Sequence, residues 1–210
     1  MKGEKASFMS RICAFFLDML IVSLIASLLA TPFVSKEKME SLNEDYEKIV
    51  EKIQTQELNL HEYTVEVANL RYEVIRVNGM GTIINILIGM FWFVLMPLYL
   101  GGQTLGKKIL KIKMISDKDD LTANQLLVRS MIGNSFLFDL LGILEVLLFP
   151  KYIFYYCHWI LLFVPYILMF VSVIMVLVSK DGRAIHDYLG HTKVVKIKEM
   201  KIWENLVNKN

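Results

Sequence analysis

The sequence predicts an all-α polytopic membrane protein, with four transmembrane helices and an extracytoplasmic helical hairpin between the first and second. Three observations carry this. The chain is 55% hydrophobic over its 210 residues, above the roughly 45–50% of soluble domains, and its mean hydropathy is +0.46. The apolar residues fall in blocks at about residues 11–34, 81–100, 127–149 and 152–178, each long enough to cross a bilayer as a helix. Lysine and arginine collect in the N-terminus, the 101–128 connector and the 179–210 tail, while the loop at 35–79 leans acidic. The net charge of +2 says less than this distribution, which places both termini and the basic connector in the cytoplasm.

The first block, RICAFFLDMLIVSLIASLLATPFV, carries two charges that a plain anchor would not keep. Arg11 and Asp18 are seven residues apart, about two turns, so both leave one helix face with Ala14 between them. They are roughly 10 Å apart along the axis, too far for a direct pair. Arg11 can snorkel to the headgroups. Asp18 is too short to do so. At that depth its carboxylate costs about 3 kcal/mol on insertion scales, so it must face other helices, a polar cavity or a cation, or be protonated. The run is longer than a signal-peptide core and is broken by Asp18, which reads as a retained helix.

Residues 35–79 form a polar, helix-prone insertion. Met39, Leu42, Tyr46, Ile49 and Ile53 recur at steps of three and four, as do Tyr63, Val67, Leu70, Val74 and Val77, with a turn between at Thr55 to Asn59. Ten acidic residues face six basic ones there. The segment reads as two amphipathic helices in a hairpin, with continuation into the membrane helices on either side open, either packed only on itself or offering a docking surface to a partner. Asn78-Gly79 marks its end before the second block, GTIINILIGMFWFVLMPLYL. In that block Pro97 kinks or ends the helix, and Trp92, lying mid-run, reads as a packing residue.

Gly101-Gly-Gln-Thr-Leu-Gly106-Lys107 is close to a phosphate-binding loop, yet Lys108 stands where Ser or Thr would hold magnesium and a membrane helix precedes it. The glycines fit a tight turn at the membrane surface, with the lysines on anionic headgroups. Leu110, Ile112 and Met114 alternate with Lys111 and Lys113, which allows a short strand or an interfacial segment. A helix start at 121–125 leads into the third block, which has Arg129 at its mouth and Asn134, Asp139 and Glu145 inside. The fourth block holds His158 and Pro165. Glu145 and His158 lie at similar depth on either side of the 150–151 turn and form an expected outer polar pair. Cys13 and Cys157 lie in apolar segments and read as small core residues.

The tail begins with Asp181-Gly-Arg183-Ala-Ile-His186-Asp187-Tyr-Leu-Gly190-His191. Two histidines five apart are a poor zinc pattern, and no metal or cofactor is expected. The segment instead fits a polar element folded under the bundle, where Asp187 has Arg11, Arg129 and Arg183 as available partners. Arg11, Arg129, Arg183, His186 and Asp187 are the expected cytoplasmic charge cluster.

These residues resemble the RDD family of bacterial membrane proteins, named for an arginine at the start of the first membrane helix and two aspartates. Arg11 and Asp18 match in RxxAxxxD form; Gly102-Gln-Thr-Leu-Gly106-Lys107 is similar to the family's glycine-rich turn; Arg183-Ala-Ile-His186-Asp187 and Gly190-His-Thr-Lys-Val-Val195 are similar to its closing motif. The resemblance makes Asp187 the second aspartate and covers most of the chain outside 35–79. It implies a single membrane domain over 1–210 in the cytoplasmic (inner) membrane. Some members are described as sodium/proton antiporters.

Two functions are carried forward. One is cation- or proton-coupled transport, since intramembrane ionisable groups by default mark pathways or buried pairs; Asp18 and Asp139 are its pathway candidates, with Asp18 the expected exchanging carboxylate and Arg11 and Asp187 closing the site below it. The other is a non-enzymatic partner or regulatory protein acting through the outer hairpin, with the buried charges structural. An intramembrane aspartyl protease is disfavoured, because Asp139 lacks the neighbouring glycine-rich motif, and no enzyme activity is expected. The partners expected are the lipid bilayer and either a second copy or another membrane protein, not nucleic acid.

Overall fold

A computed structural model describes residues 4–117 and 120–197. The first helix, α1 (Phe8–Ala30), starts at Ser7, whose side chain accepts the Ser10 amide, and is followed by a short 3-10 turn, Thr31–Phe33. Its buried residues are Ala14, Asp18, Val22 and Ala26, one every four positions. That spacing draws one narrow stripe along the helix, and the small side chains in it let neighbours approach closely. Leu20, Leu24 and Leu28 on the other side are exposed, as suits a lipid-facing surface. Cys13 is exposed too, so it is not the core residue that its sequence context suggested.

The insertion is helical, and its second arm is one helix with the membrane segment that follows, the continuation that the sequence left open. Helix α2 (Lys36–Gln54) turns at Thr55 into α3 (Leu60–Met90). Asn59 and Glu62 cap α3 reciprocally, each side chain bonding the other's backbone amide. Helix α3 then runs through Asn78-Gly79 without a break. A lone glycine costs a helix about 1 kcal/mol, too little to stop a long one. At Phe91–Leu95 the helix widens into a π turn, and it ends in α4 (Met96–Tyr99).

Gly101 and Gly102 adopt positive φ and turn the chain into α5 (Leu105–Ile109) and β1 (Ile112–Ser116). Then come α6 (Ala123–Gly133), α7 (Phe136–Leu148), α8 (Lys151–Val178), α9 (Ile185–Leu189) and β2 (Thr192–Lys196). The strands pair antiparallel from Ile112↔Lys196 to Ser116↔Thr192, and Lys5 bridges to Val195 on the other edge of β2. The fold is therefore helical but not all-α, because this ribbon closes one end of the bundle. Ile112, Met114 and Val194 bury their side chains there with Ala6, Ala14, Val94 and Leu126.

Among the described residues, three helical stretches are long and apolar enough to span a membrane: 8–33, 60–99 and 151–178. A fourth span exists if α6 and α7 count as one, and these are bent by 66°. The sequence predicts one span there, at about 127–149. The break falls at Ser135, which takes a left-handed φ of 61° after Asn134 ends α6. Phe136 then packs with Val22, Trp92 and Phe93 in the second core cluster. Of the tail at 179–210, residues 198–210 lie outside the described residues.

Candidate functional site

Asp187 is fully buried at the ribbon end. Arg11 Nη1 donates to its Oδ2 at 3.0 Å, and Arg129 Nη1 contacts Oδ1. The Ala184 amide donates to Oδ2 at 3.1 Å, which starts α9. Each arginine also holds β2: Arg11 Nη2 donates to the Val194 carbonyl and Arg129 Nη1 to Thr192 Oγ1, both at 3.0 Å. Charge-assisted bonds of this kind are the strong ones, so one carboxylate joins α1, α6, α9 and β2. Arg183, expected in the same cluster, is elsewhere. It bonds both oxygens of Asp117, at 2.5 and 2.6 Å, just past the end of β1. His186 packs its ring against Gly133. Burial, then the nearby Arg129, Arg11 and Lys107, hold its imidazole well below the usual histidine range.

Asp18, one stripe position further along α1, is also fully buried, and its surroundings are polar and filled. Trp92 Nε1 donates to Oδ1 at 2.9 Å and the Gly106 amide to the same oxygen at 2.8 Å. Thr104 Oγ1 donates to Oδ2 at 2.5 Å. The glycine-rich turn is thus a clasp around this carboxylate. A Cβ at Gly106 would collide with the Ala14 carbonyl and touch the Asp18 carboxylate at 2.9 Å, so glycine is needed for the approach. Lys107 follows, with its ammonium 3.4 Å from Thr104 Oγ1 and over the Phe93 ring. Burial, then Arg129, push its amine down to about 8 against the opposing pull of Asp18.

Toward the hairpin end the expected outer pair is present. His158 Nδ1 lies 3.3 Å from Glu145 Oε2, and both side chains are buried. Arg71 Nε donates to His158 Nε2 at 3.1 Å. An arginine can only donate, so Nε2 accepts, Nδ1 carries the proton, and the bond to Glu145 runs from histidine to carboxylate. Phe154 stacks on the imidazole at 4.4 Å.

Two cavities lie between these groups. One, of about 350 Å³, is lined by Arg11, Lys107, Arg129 and His186 among mostly apolar side chains. The other, of about 550 Å³, is lined by Arg71, Asn78, Asn134, Asp139, His158 and apolar residues. They share walls at Phe15, Gly133, Asn134, Met169, Ser172 and His186, where the α6–α7 break opens the bundle. Asp18 lines neither. Asp139 lines the larger one, and among the described residues its carboxylate has no hydrogen bond or ion pair. Also among the described residues, no three His, Cys, Asp or Glu side chains are placed to hold a metal ion.

Sequence reasoning missed Arg71, Trp92 and Thr104. Arg71 reads as a hairpin charge until α3 is seen to be continuous. Trp92 reads as packing, although an indole that deep needs an acceptor, which was a usable signal.

The family model described as RDD family matches residues 5–191. No curated protein matches the chain, and no solved structure does.

Proposed function

The chain belongs to the RDD family and is an integral, multi-pass membrane protein, and from that premise we propose that it carries out proton-coupled transport with Asp139 as the exchanging carboxylate. The observation that carries this reading is the Asp139 carboxylate on the wall of the 550 Å³ cavity, without a hydrogen bond or ion pair among the described residues. A carboxylate in apolar surroundings takes up a partner, a cation or a proton. No protein group hydrogen-bonds or ion-pairs with Asp139 among the described residues; the charge of Arg71, on the wall of the same cavity, acts on it through space, and the room between leaves space for an exchangeable ion. The wall shared at Asn134 and His186 supports a route toward the ribbon end, which lysine and arginine placement puts in the cytoplasm. Arg71, His158 and Glu145 stand on the opposite side, toward the hairpin.

Asp18 is a different matter. Its three donors and lack of space support a structural tie between α1 and the glycine-rich turn. The cations Arg11, Lys107 and Arg129 line the inner cavity and repel a metal ion there. The proton is therefore the ion this geometry suits best, and sodium or potassium must be tested separately.

The test is proton flux in proteoliposomes, with and without a sodium or potassium gradient. Wild type should carry flux. Asp139→Asn should abolish it while the protein still folds. Unchanged flux in Asp139→Asn would overturn the assignment. No flux from well-folded wild type would favour the partner-binding reading, which removal of α2 (Lys36–Gln54) would then probe by loss of that partner.

A further inference from the structure

The smaller cavity has walls of its own, Phe16, Val173, Lys107 and Arg129, beside Phe15 and Met169, which it shares with the larger one. Phe15 and Phe16 of α1 and Met169 and Val173 of α8 line one side, and Lys107 and Arg129 the other. Phe16 and Met169 are 62% and 61% exposed. In a membrane such residues face acyl chains, so the cavity opens sideways, between α1 and α8, to the lipid. Its inner wall carries an excess of positive charge. Arg11, Lys107 and Arg129 stand against Asp187, and still outnumber the carboxylates when Asp18 is counted. Arg11 and Arg129 are engaged with Asp187. Among the described residues, Lys107 has only a hydroxyl at 3.4 Å and an aromatic face. A half-buried ammonium with no carboxylate in direct contact, Asp18 acting on it only through space, is costly, and here it lines a space that an anion can reach from the bilayer.

We propose that this cavity binds an anionic phospholipid, with its phosphate against Lys107 and Arg129 and one acyl chain along Phe15, Phe16 and Met169. A basic pocket between membrane helices is the geometry that takes acidic lipid headgroups. The volume, about 350 Å³, is within the roughly 300–1,000 Å³ of ligand sites. A zwitterionic headgroup would bring its own cation among three others. A free phosphate would leave the apolar wall unused. This inference does not depend on proton transport and stands or falls separately from it.

The experiment is native mass spectrometry of the detergent-purified protein titrated with phosphatidylglycerol, phosphatidylcholine or glycerol phosphate. One phosphatidylglycerol should bind per chain, preferred over phosphatidylcholine by about tenfold, a ratio that corresponds to ~1.4 kcal/mol. Glycerol phosphate should not compete. Lys107→Ala should erase the preference, Lys107→Arg should keep it, and Lys108→Ala, at an exposed neighbour, should change nothing. Lys107 is faced by Arg11 and Asp18 from α1, Arg129 from α6 and His186 from α9. With its amine at about 8, it loses charge as pH rises from 7 to 9.5. Wild-type binding should weaken over that range, and the Lys107→Arg variant should not follow. Equal binding of the two lipids, full competition by glycerol phosphate, or a preference that survives Lys107→Ala in folded protein would each overturn the proposal.

Discussion

Asp18 and Asp139 are both aspartates within apolar helices, yet they live in opposite surroundings. Asp18 has no exposed surface, and three donors converge on it from α5, the turn before it and the π turn. Asp139 has no such donor among the described residues and faces a cavity of about 550 Å³. Two carboxylates in apolar helices are thus separated by the donors supplied by the rest of the chain and by the room left beside them, and the proposed exchange at Asp139 rests on that difference.

The comparison is sharpened most by Asp18→Ala. It strands three buried donors and should cost on the order of 3–5 kcal/mol, read as a large drop in the unfolding midpoint in detergent. Gly106→Ala comes next. It forces backbone against the Ala14 carbonyl and should cost about 1–3 kcal/mol without touching a charge. Trp92→Phe removes one donor and keeps most of the ring, so about 1–2 kcal/mol is expected. The smallest effect on stability belongs to Asp139→Asn, within about 0.5 kcal/mol, although it should take away all proton flux. The comparison breaks if Asp139→Asn unfolds the protein as readily as Asp18→Ala does.

Much of this was legible before any coordinates. Arg11, Asp18 and Asp187 are conspicuous because charges in or beside apolar runs are expensive, and Glu145 and His158 meet as their equal depth implied. What was hidden depends on contacts far apart in sequence. The alternation at 110–114 suggested a strand, but its partner lies eighty residues on, at Thr192–Lys196, and nothing local announces the pairing. Arg183 was grouped with Asp187 by proximity in the chain, while the fold hands it to Asp117. The bend at Ser135 has no proline to mark it. It came from a left-handed residue that carries no strong sequence signal outside glycine and asparagine.

The Asp187 junction also sets an order on biogenesis. Arg11 and Asp187 are 176 residues apart, and chains are made at about 5–20 residues per second. The first helix is therefore in place for roughly 9–35 seconds before its carboxylate partner has been synthesised. Arg129 waits as well, for a shorter time. During that interval both guanidiniums must be held by headgroups or by the insertion machinery. A nascent chain halted before residue 187 would keep two cations without the carboxylate that joins them in the finished fold.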